Sequence, residues 1–344
     1  MQRQCTRYIW AFSLVLVTVM VFASSASAVP NPVTSPLHPT LYVRCANQAG
    51  SFHSIQDAVN AAGGGYTIKV CEGTYYEQVN VNDATKTSPS TLDGLQILAD
   101  EGVKLQCLSG APPVRSGFDL HANDVTIAGF DISQCDSAIS VEASYGGGRF
   151  SLNNIHNNQV GISFNRSSGY NSVVDNIIHD NSGDGVFDYT PGGDFISSNL
   201  IHENGTNGVE ISSTIILVGI VVTKEICYSA SALIVDNVVT DNKNDGVYLN
   251  YADCGQVQGN VLSENGSDGL QLNSSRNAQV IANDADKNGN DGIELNSGST
   301  LNVLLDDRME DNTAFDAGDH SSSPGNLWTN NHCVTTSGTA VCVP

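Results

Sequence analysis

Between Phe130 and Asp311 the chain alternates short apolar runs with Asn, Asp and Gly, and the alternation repeats at a fixed step. Units open at Phe130, Asn153, Asn176 and Asn199, then at Asn237, Asn260, Asn283 and Asp306, every step 23 residues except one of 38. A representative unit reads Asn176-Ile-Ile-His-Asp-Asn-Ser-Gly-Asp-Gly-Val. Fixed-period self-similarity marks stacked structural units. Runs of β-branched residues cut by residues that tolerate positive φ predict two short strands per unit. The third position is apolar in successive units (Ile132, Ile155, Ile178, Ile201, Val239, Leu262), and the second strand contributes Val186, Val209, Val247, Leu270 and Ile293. Placed one inter-strand spacing apart, roughly 4.8 Å, these positions form files of like side chains inside a coil. Units this short and Gly-rich leave no room for a helix, so the pattern predicts an all-β parallel solenoid.

With these repeats the chain resembles a right-handed parallel β-helix of the pectin lyase-like superfamily. It is similar to the repeats of mannuronan C5-epimerases and NosD-type proteins, from about Ser51 to the C-terminus. Residues 54–62 read as a short helix with Ser54 as N-cap and Gly63 to Gly65 as its stop, and strands follow over 64–82. This order resembles the N-terminal cap and first rung of such proteins. The epimerase signature Asp-Pro-His finds its nearest match in Gly185-Val-Phe-Asp-Tyr189, where Asp188 fits the acid and Tyr189 stands in place of Pro.

Residues 1–28 carry Arg3 and Arg7, an apolar run from Ile9 to Ala23 and Ala26-Ser27-Ala28, the layout of a secretory signal peptide. Residues 29–50 read as an extended leader, 51–344 as one β-helix domain with regular rungs over 130–311, and 316–344 as a C-terminal cap. Without the leading 28 residues the chain has 12 basic against 36 acidic residues, a formal −24. That charge disfavours nucleic acid and anionic membranes, and polyuronates too unless Ca²⁺ bridges the like charges. Its plainer meaning is the solvated surface of an extracellular protein. Of nine cysteines, Cys45 with Cys71 and Cys333 with Cys342 suit disulfides in an oxidising compartment, and Cys107, Cys135, Cys227 and Cys254 stay unassigned. The long step contains an aliphatic stretch at about 214–229. It reads as a lid or partner surface, as part of a variant rung, or as translated intron.

Candidate chemistry lies in three places. His156, His179 and His202 recur 23 residues apart beside core isoleucines, so alternation stacks them on an outer face, as acid/base groups, metal ligands or simple surface polarity. Asp188 occupies a position held by Phe164, Ile211, Leu249, Leu272 and Leu295 in other rungs. Alternation buries it with a raised pKa, unless a bulge turns it outward. The outward row Phe187, Glu210, Tyr248, Gln271 and Glu294, with Arg166 and Tyr189 at its edge, mixes aromatic rings with carboxylates and amides, as a sugar-binding face does. The leading expectation is a secreted carbohydrate-active protein acting as lyase, epimerase or hydrolase. Asp188, Tyr189, Glu210, His179 and His202 would be catalytic. His156, Arg166, Phe187, Tyr248, Gln271 and Glu294 would hold the polysaccharide. The alternative is a non-catalytic wall-binding or surface protein. Ca²⁺ is the metal considered, through the acid column Asp180, Glu203, Asp241 and Glu264, and a monomer is expected.

Overall fold

The structure, a computed structural model, describes residues 38–46, 48–82, 91–107, 116–167, 169–189, 192–213, 232–321 and 325–343. The expected signal peptide and the aliphatic stretch at 214–229 lie outside these residues.

Three parallel sheets wind around one interior. Among the described residues, face A has 12 strands, from Thr40–Val43 to Leu327–Thr329. Face B has 8, from Gly73–Tyr76 to Val261–Ser263, and face C has 11, from Val79–Asn82 to Thr336–Gly338. One rung shows the order: Arg149–Ser151 on face A, Asn154–His156 on face B, Val160–Asn165 on face C. The repeat is therefore a complete turn of a solenoid. A third strand per unit, such as Ser172–Val174, was not among the two read from the sequence. The expected leader ends early, because Thr40–Val43 already pairs in register with Thr67–Val70. At the other end, Leu327–Thr329 pairs with Val303–Leu305, so stacking continues into the expected cap.

The interior follows from period arithmetic. Ile132, Ile155, Ile178, Ile201, Val239 and Leu262 are register partners in one fully buried file. Each such side chain contributes about 1.5–3 kcal/mol on leaving water. Two corners of the coil carry amide ladders. Asn153, Asn176, Asn199, Asn237 and Asn260 each donate backbone N–H and side-chain Nδ2 to the Oδ1 of the next Asn, at 2.9–3.0 Å. The series from Asn158 through Asn181, Asn204, Asn242, Asn265 and Asn288 does the same at 3.0–3.2 Å. These amides satisfy turn backbone that no sheet covers. The recurrent Gly has a steric cause: a Cβ on Gly246 would lie 2.6 Å from Gly269 O and 2.8 Å from Asn265 Nδ2.

The open N-terminal end is covered by the helix Ile55–Ala61. The Ser54 hydroxyl accepts from Asp57 N at 3.0 Å, and Glu77 accepts from Ile55 N and Gln56 N at 2.9 Å each. These acceptors meet backbone donors that the helix leaves unpaired. Ile55, Ala58 and Val59 face the core. Cys45–Cys71, Cys107–Cys135 and Cys333–Cys342 are disulfides; the second of these could not be paired from sequence. Cys227 lies outside the described residues.

Candidate functional site: a groove on face C

Register across face C joins Ser163, Phe187, Glu210, Tyr248, Gln271 and Glu294 into one outward row. Asn165, Tyr189, Ser212, Asn250 and Asn273 form the parallel row two residues on. Phe187, Tyr189, Glu210, Ser212, Ser213, Asn250 and Tyr251 line a shallow concavity of about 450 Å³. A second, of about 360 Å³, is lined by Ser137, Ser140, Gln159, Ser163 and Asn165 and shares Phe187 with the first. The two adjoin at Phe187, along the outward row. The Phe187 and Tyr189 rings are near parallel, with centroids 6.3 Å apart, and the Arg166 guanidinium lies 5.3 Å over the Tyr189 ring.

Glu210 is held in this groove by two donors: Ser212 Oγ donates to its Oε1 at 2.7 Å and Asn207 Nδ2 to its Oε2 at 2.9 Å. Burial raises its pKa, and the nearby Asp184 raises it further against the pull of those hydrogen bonds. Asp184 is raised as well, chiefly by burial, while accepting from Thr206 Oγ1 and from Asn207 N. Two carboxyls thus share Asn207, and both favour keeping a proton longer than an exposed acid would.

A largely buried ladder at the edge of face C was not singled out from sequence. Asp184, Asn207, Asp245, Asp268 and Asp291 stack at the turn entering face C. Each side chain accepts the backbone N–H of the next, at 2.8–3.2 Å. Burial pushes Asp245 and Asp291 to about 6, and burial with the Asp268 charge pushes Glu294 to about 7. The signal was available, since these residues recur at the ninth position of each unit.

Other expected residues fall elsewhere. Asp188 points inward and is fully buried, so no bulge turns it out. Neither carboxylate oxygen finds a hydrogen-bond partner, and burial followed by the Asp194 charge drives its pKa well above the ordinary value. A proton on Asp188 removes the repulsion and lets it donate toward Asp194. From the core, its carboxyl cannot touch a chain lying on face C. The histidines sit on face B, outward of Ile155, Ile178 and Ile201. His156 and His179 stack at 5.2 Å between centroids, His179 and His202 at 5.0 Å. His179 Nδ1 meets Asp180 Oδ2 at 2.7 Å, His202 Nδ1 meets Glu203 Oε2 at 3.1 Å, and His156 Nε2 meets Asp131 Oδ1 at 3.0 Å. They are on a different sheet from Tyr189 and Glu210. Of the expected catalytic set, the groove brings together only Tyr189 and Glu210.

Among the described residues, one grouping could hold a metal. Ligand atoms of Asp291, Glu294 and His320 all lie within 4.8 Å of one another. Two carboxylates and an imidazole suit Mn²⁺ or Zn²⁺ better than Ca²⁺, which takes oxygen ligands.

Comparison with known proteins accords with this architecture. Residues 225–343 match the family described as right handed beta helix region, and residues 79–216 match the family described as periplasmic copper-binding protein (NosD). The second description implies copper, which prefers sulfur and imidazole donors. Within 79–216 the donors do not converge. Cys107 and Cys135 are bonded to each other, the sequence holds no Met there, and the histidine rings stack with nitrogens turned to acids and amides. The residues present do not fit a copper site. No curated protein matches the chain. Among solved structures, the A-module of Azotobacter vinelandii mannuronan C-5 epimerase AlgE4 shares 14% identity over 82% of this chain and 89% of its own, with a TM-score of 0.55. The AlgE6 A-module from the same organism shares 16% over 84% and 93%, TM-score 0.51. XylC, solved in complex with xylose, shares 12% over 83% and 69%, TM-score 0.62. At these identities the likeness is one of fold, and with the stacked parallel sheets it identifies the chain as a right-handed parallel β-helix protein.

Proposed function

We propose that this is an exported carbohydrate-active protein that lays an extended polysaccharide along the face C groove, with Glu210 as its proton-transfer group. The observation that carries the reading is the pair of concavities adjoining at Phe187, in which rings, amides and one carboxyl with a raised pKa line the same face. Aromatic faces pack on pyranose rings, and hydroxyls take the amide and carboxyl partners. A carboxyl whose pKa burial raises is the better suited to act as general acid to a glycosidic oxygen or a sugar carbon. Tyr189, beside it, completes the reacting set. Asp188 and the face B histidines are left out because they do not reach the groove. The disulfides accord with export to an oxidising compartment. The similar folds of the mannuronan C-5 epimerase modules AlgE4 and AlgE6, and of XylC solved with xylose, add carbohydrate context to the proposal.

A polysaccharide panel tests the reading. Reducing ends report hydrolysis, unsaturated-product absorbance reports elimination, and NMR reports epimerisation. Glu210→Gln abolishing turnover while leaving binding intact supports it; unchanged turnover in that variant overturns it. The rival reading, binding without chemistry, is favoured by the inward carboxyl of Asp188, which leaves Glu210 as the one carboxyl of the expected catalytic set in the groove. It predicts equal binding by the parent and Glu210→Gln, and no product in any assay. If a metal takes part, chelation lowers activity and Mn²⁺ restores it better than Ca²⁺ does, an effect lost in His320→Ala.

A further inference from the structure

Toward the C-terminal end of face C the outward row loses a side chain. Register runs from Glu294 through Gly318 to Ser337, on the strands Ile293–Leu295, Ala317–Asp319 and Thr336–Gly338. With strands roughly 4.8 Å apart, Glu294 and Ser337 stand on either side of a gap one rung wide. Oxygen atoms face that gap. A Cβ on Gly318 would lie 2.6 Å from Asp291 Oδ2 and 3.1 Å from Ser337 Oγ. His320, two residues on, brings a ring nitrogen within 4.8 Å of oxygens of both Asp291 and Glu294, and its Nε2 lies 3.1 Å from Ser337 Oγ.

Two observations set this grouping apart from ordinary surface acids. Asp291 is only 3% exposed and its Oδ1 accepts from Phe315 N at 3.0 Å, yet no hydrogen bond reaches its Oδ2, the oxygen that faces the gap. Burying a carboxylate oxygen with no partner is costly. Nor does a side-chain cation of the protein meet it. Among the described residues the Lys and Arg ion pairs join Lys69 to Asp100, Arg276 to Asp253, and Arg308 to Asp284, Asp286 and Glu310. Asp291, Glu294 and His320 converge without bonding one another, so they surround a space.

We propose that this gap is a structural site for a first-row divalent cation, Mn²⁺ or Zn²⁺, held by Asp291, Glu294 and His320, and that the ion ties successive turns at the end of the coil together. Two carboxylates with one imidazole select such ions over Ca²⁺ and Mg²⁺, which prefer all-oxygen shells. Ser337 steadies the imidazole from the turn beyond, as a partner on the other ring nitrogen does in metal sites. The site goes beyond the carbohydrate reading. Glu294 is three rungs from Glu210 along the row, roughly 14 Å, so the ion does not touch the proton-transfer group.

Calorimetric titration of the metal-free full chain with Zn²⁺, Mn²⁺, Ca²⁺ and Mg²⁺ tests this. Zn²⁺ or Mn²⁺ is expected to fill one site at least about 10-fold more tightly than Ca²⁺ or Mg²⁺. Gly318→Ala places a methyl in the gap on a backbone outside the left-handed region, and His320→Ala trims an exposed side chain. Each should weaken the ion at least about 10-fold. His179→Ala, which breaks the imidazole stack of face B, should leave the affinity unchanged. Added ion should slow amide exchange in peptides covering residues 315–338 and leave those covering 153–181 as they were, because binding to the folded state alone stabilises what it ties together. Equal affinity for Ca²⁺, indifference to both Gly318→Ala and His320→Ala, loss of binding in His179→Ala, or no added protection over 315–338 overturns the proposal.

Discussion

Asp307 is the odd member of an otherwise amide ladder, and replacing it tests how the coil is held together. Its Oδ1 accepts from the backbone N–H and Nδ2 of Asn283, both at 2.9 Å, as an Asn would. Its Oδ2 has no partner although the residue is 1% exposed. Burial pushes its pKa to about 7, opposed by the Asn283 bonds. In Asp307→Asn the new Nδ2 stands where Asn260 Nδ2 donates to Asn283 Oδ1 and Ile234 O. The equivalent acceptors are Asn331 Oδ1 and the Val280 carbonyl. A folded pKa of about 7 against 3.8 unfolded means that the parent keeps its full stability below pH 4 and loses it as pH rises through 7. The loss is about 4 kcal/mol at 1.36 kcal/mol per unit. The new hydrogen bonds add about 1 kcal/mol at every pH. The variant should therefore be more stable by about 5 kcal/mol at pH 8 and by about 1 kcal/mol at pH 4. Guanidinium unfolding followed by Trp328 fluorescence reads this locally. Trp328 is the register partner of Leu304, which lies shortly before Asp307 in the chain, and donates to Asp319 Oδ2 at 3.1 Å. A stability gain that is the same at both pH values, or a loss at pH 8, refutes the reasoning.

Other outcomes follow from the same structure. Asp188→Leu, which matches Ile211 and Leu249 in its file, should raise the guanidinium midpoint at pH 8 by an amount equivalent to about 2–5 kcal/mol. The gain should shrink at pH 3, because the raised pKa leaves the parent acid protonated and neutral there. Gly246→Ala should destabilise by about 2 kcal/mol or more, since its Cβ would meet Gly269 O at 2.6 Å; a thermal midpoint within one degree of the parent would contradict that. The sequence carries Asn-x-Ser/Thr sequons at Asn165, Asn204, Asn265 and Asn273, and the folded chain should accept glycan only at Asn165 and Asn273. Asn204 and Asn265 are buried and bonded through both side-chain atoms. Peptide mass spectrometry of material from a glycosylating host reads the result.

The fold was legible because the period converts position into neighbourhood. Ile155, Ile178 and Ile201 sit over one another as their spacing requires, and the sixth-position asparagines stack as a ladder. The third strand per turn was less legible, being only three residues long in most rungs, with a single buried position such as Val173 or Val257. The site divided along the same line. Outward positions of one strand, Phe187, Glu210 and Tyr248, were found together, because alternation assigns a face. Alternation does not say which sheet a strand joins, and the histidines were therefore grouped with a groove from which a corner separates them. The acids of the ninth-position ladder are less legible because Asp before Gly is also ordinary turn chemistry.

The exceptional 38-residue step has a consequence for engineering. Asn199 donates to Asn237 Oδ1 at 3.0 Å, the distance found across 23-residue steps, and Val209–Ser212 pairs in register with Val247–Asn250. Chain length after Ser213 is thus decoupled from stacking, so this corner is a splice point. A foreign peptide inserted between Ser213 and Ala232 would start from a residue that lines the concavity and leave the register of the flanking strands in place.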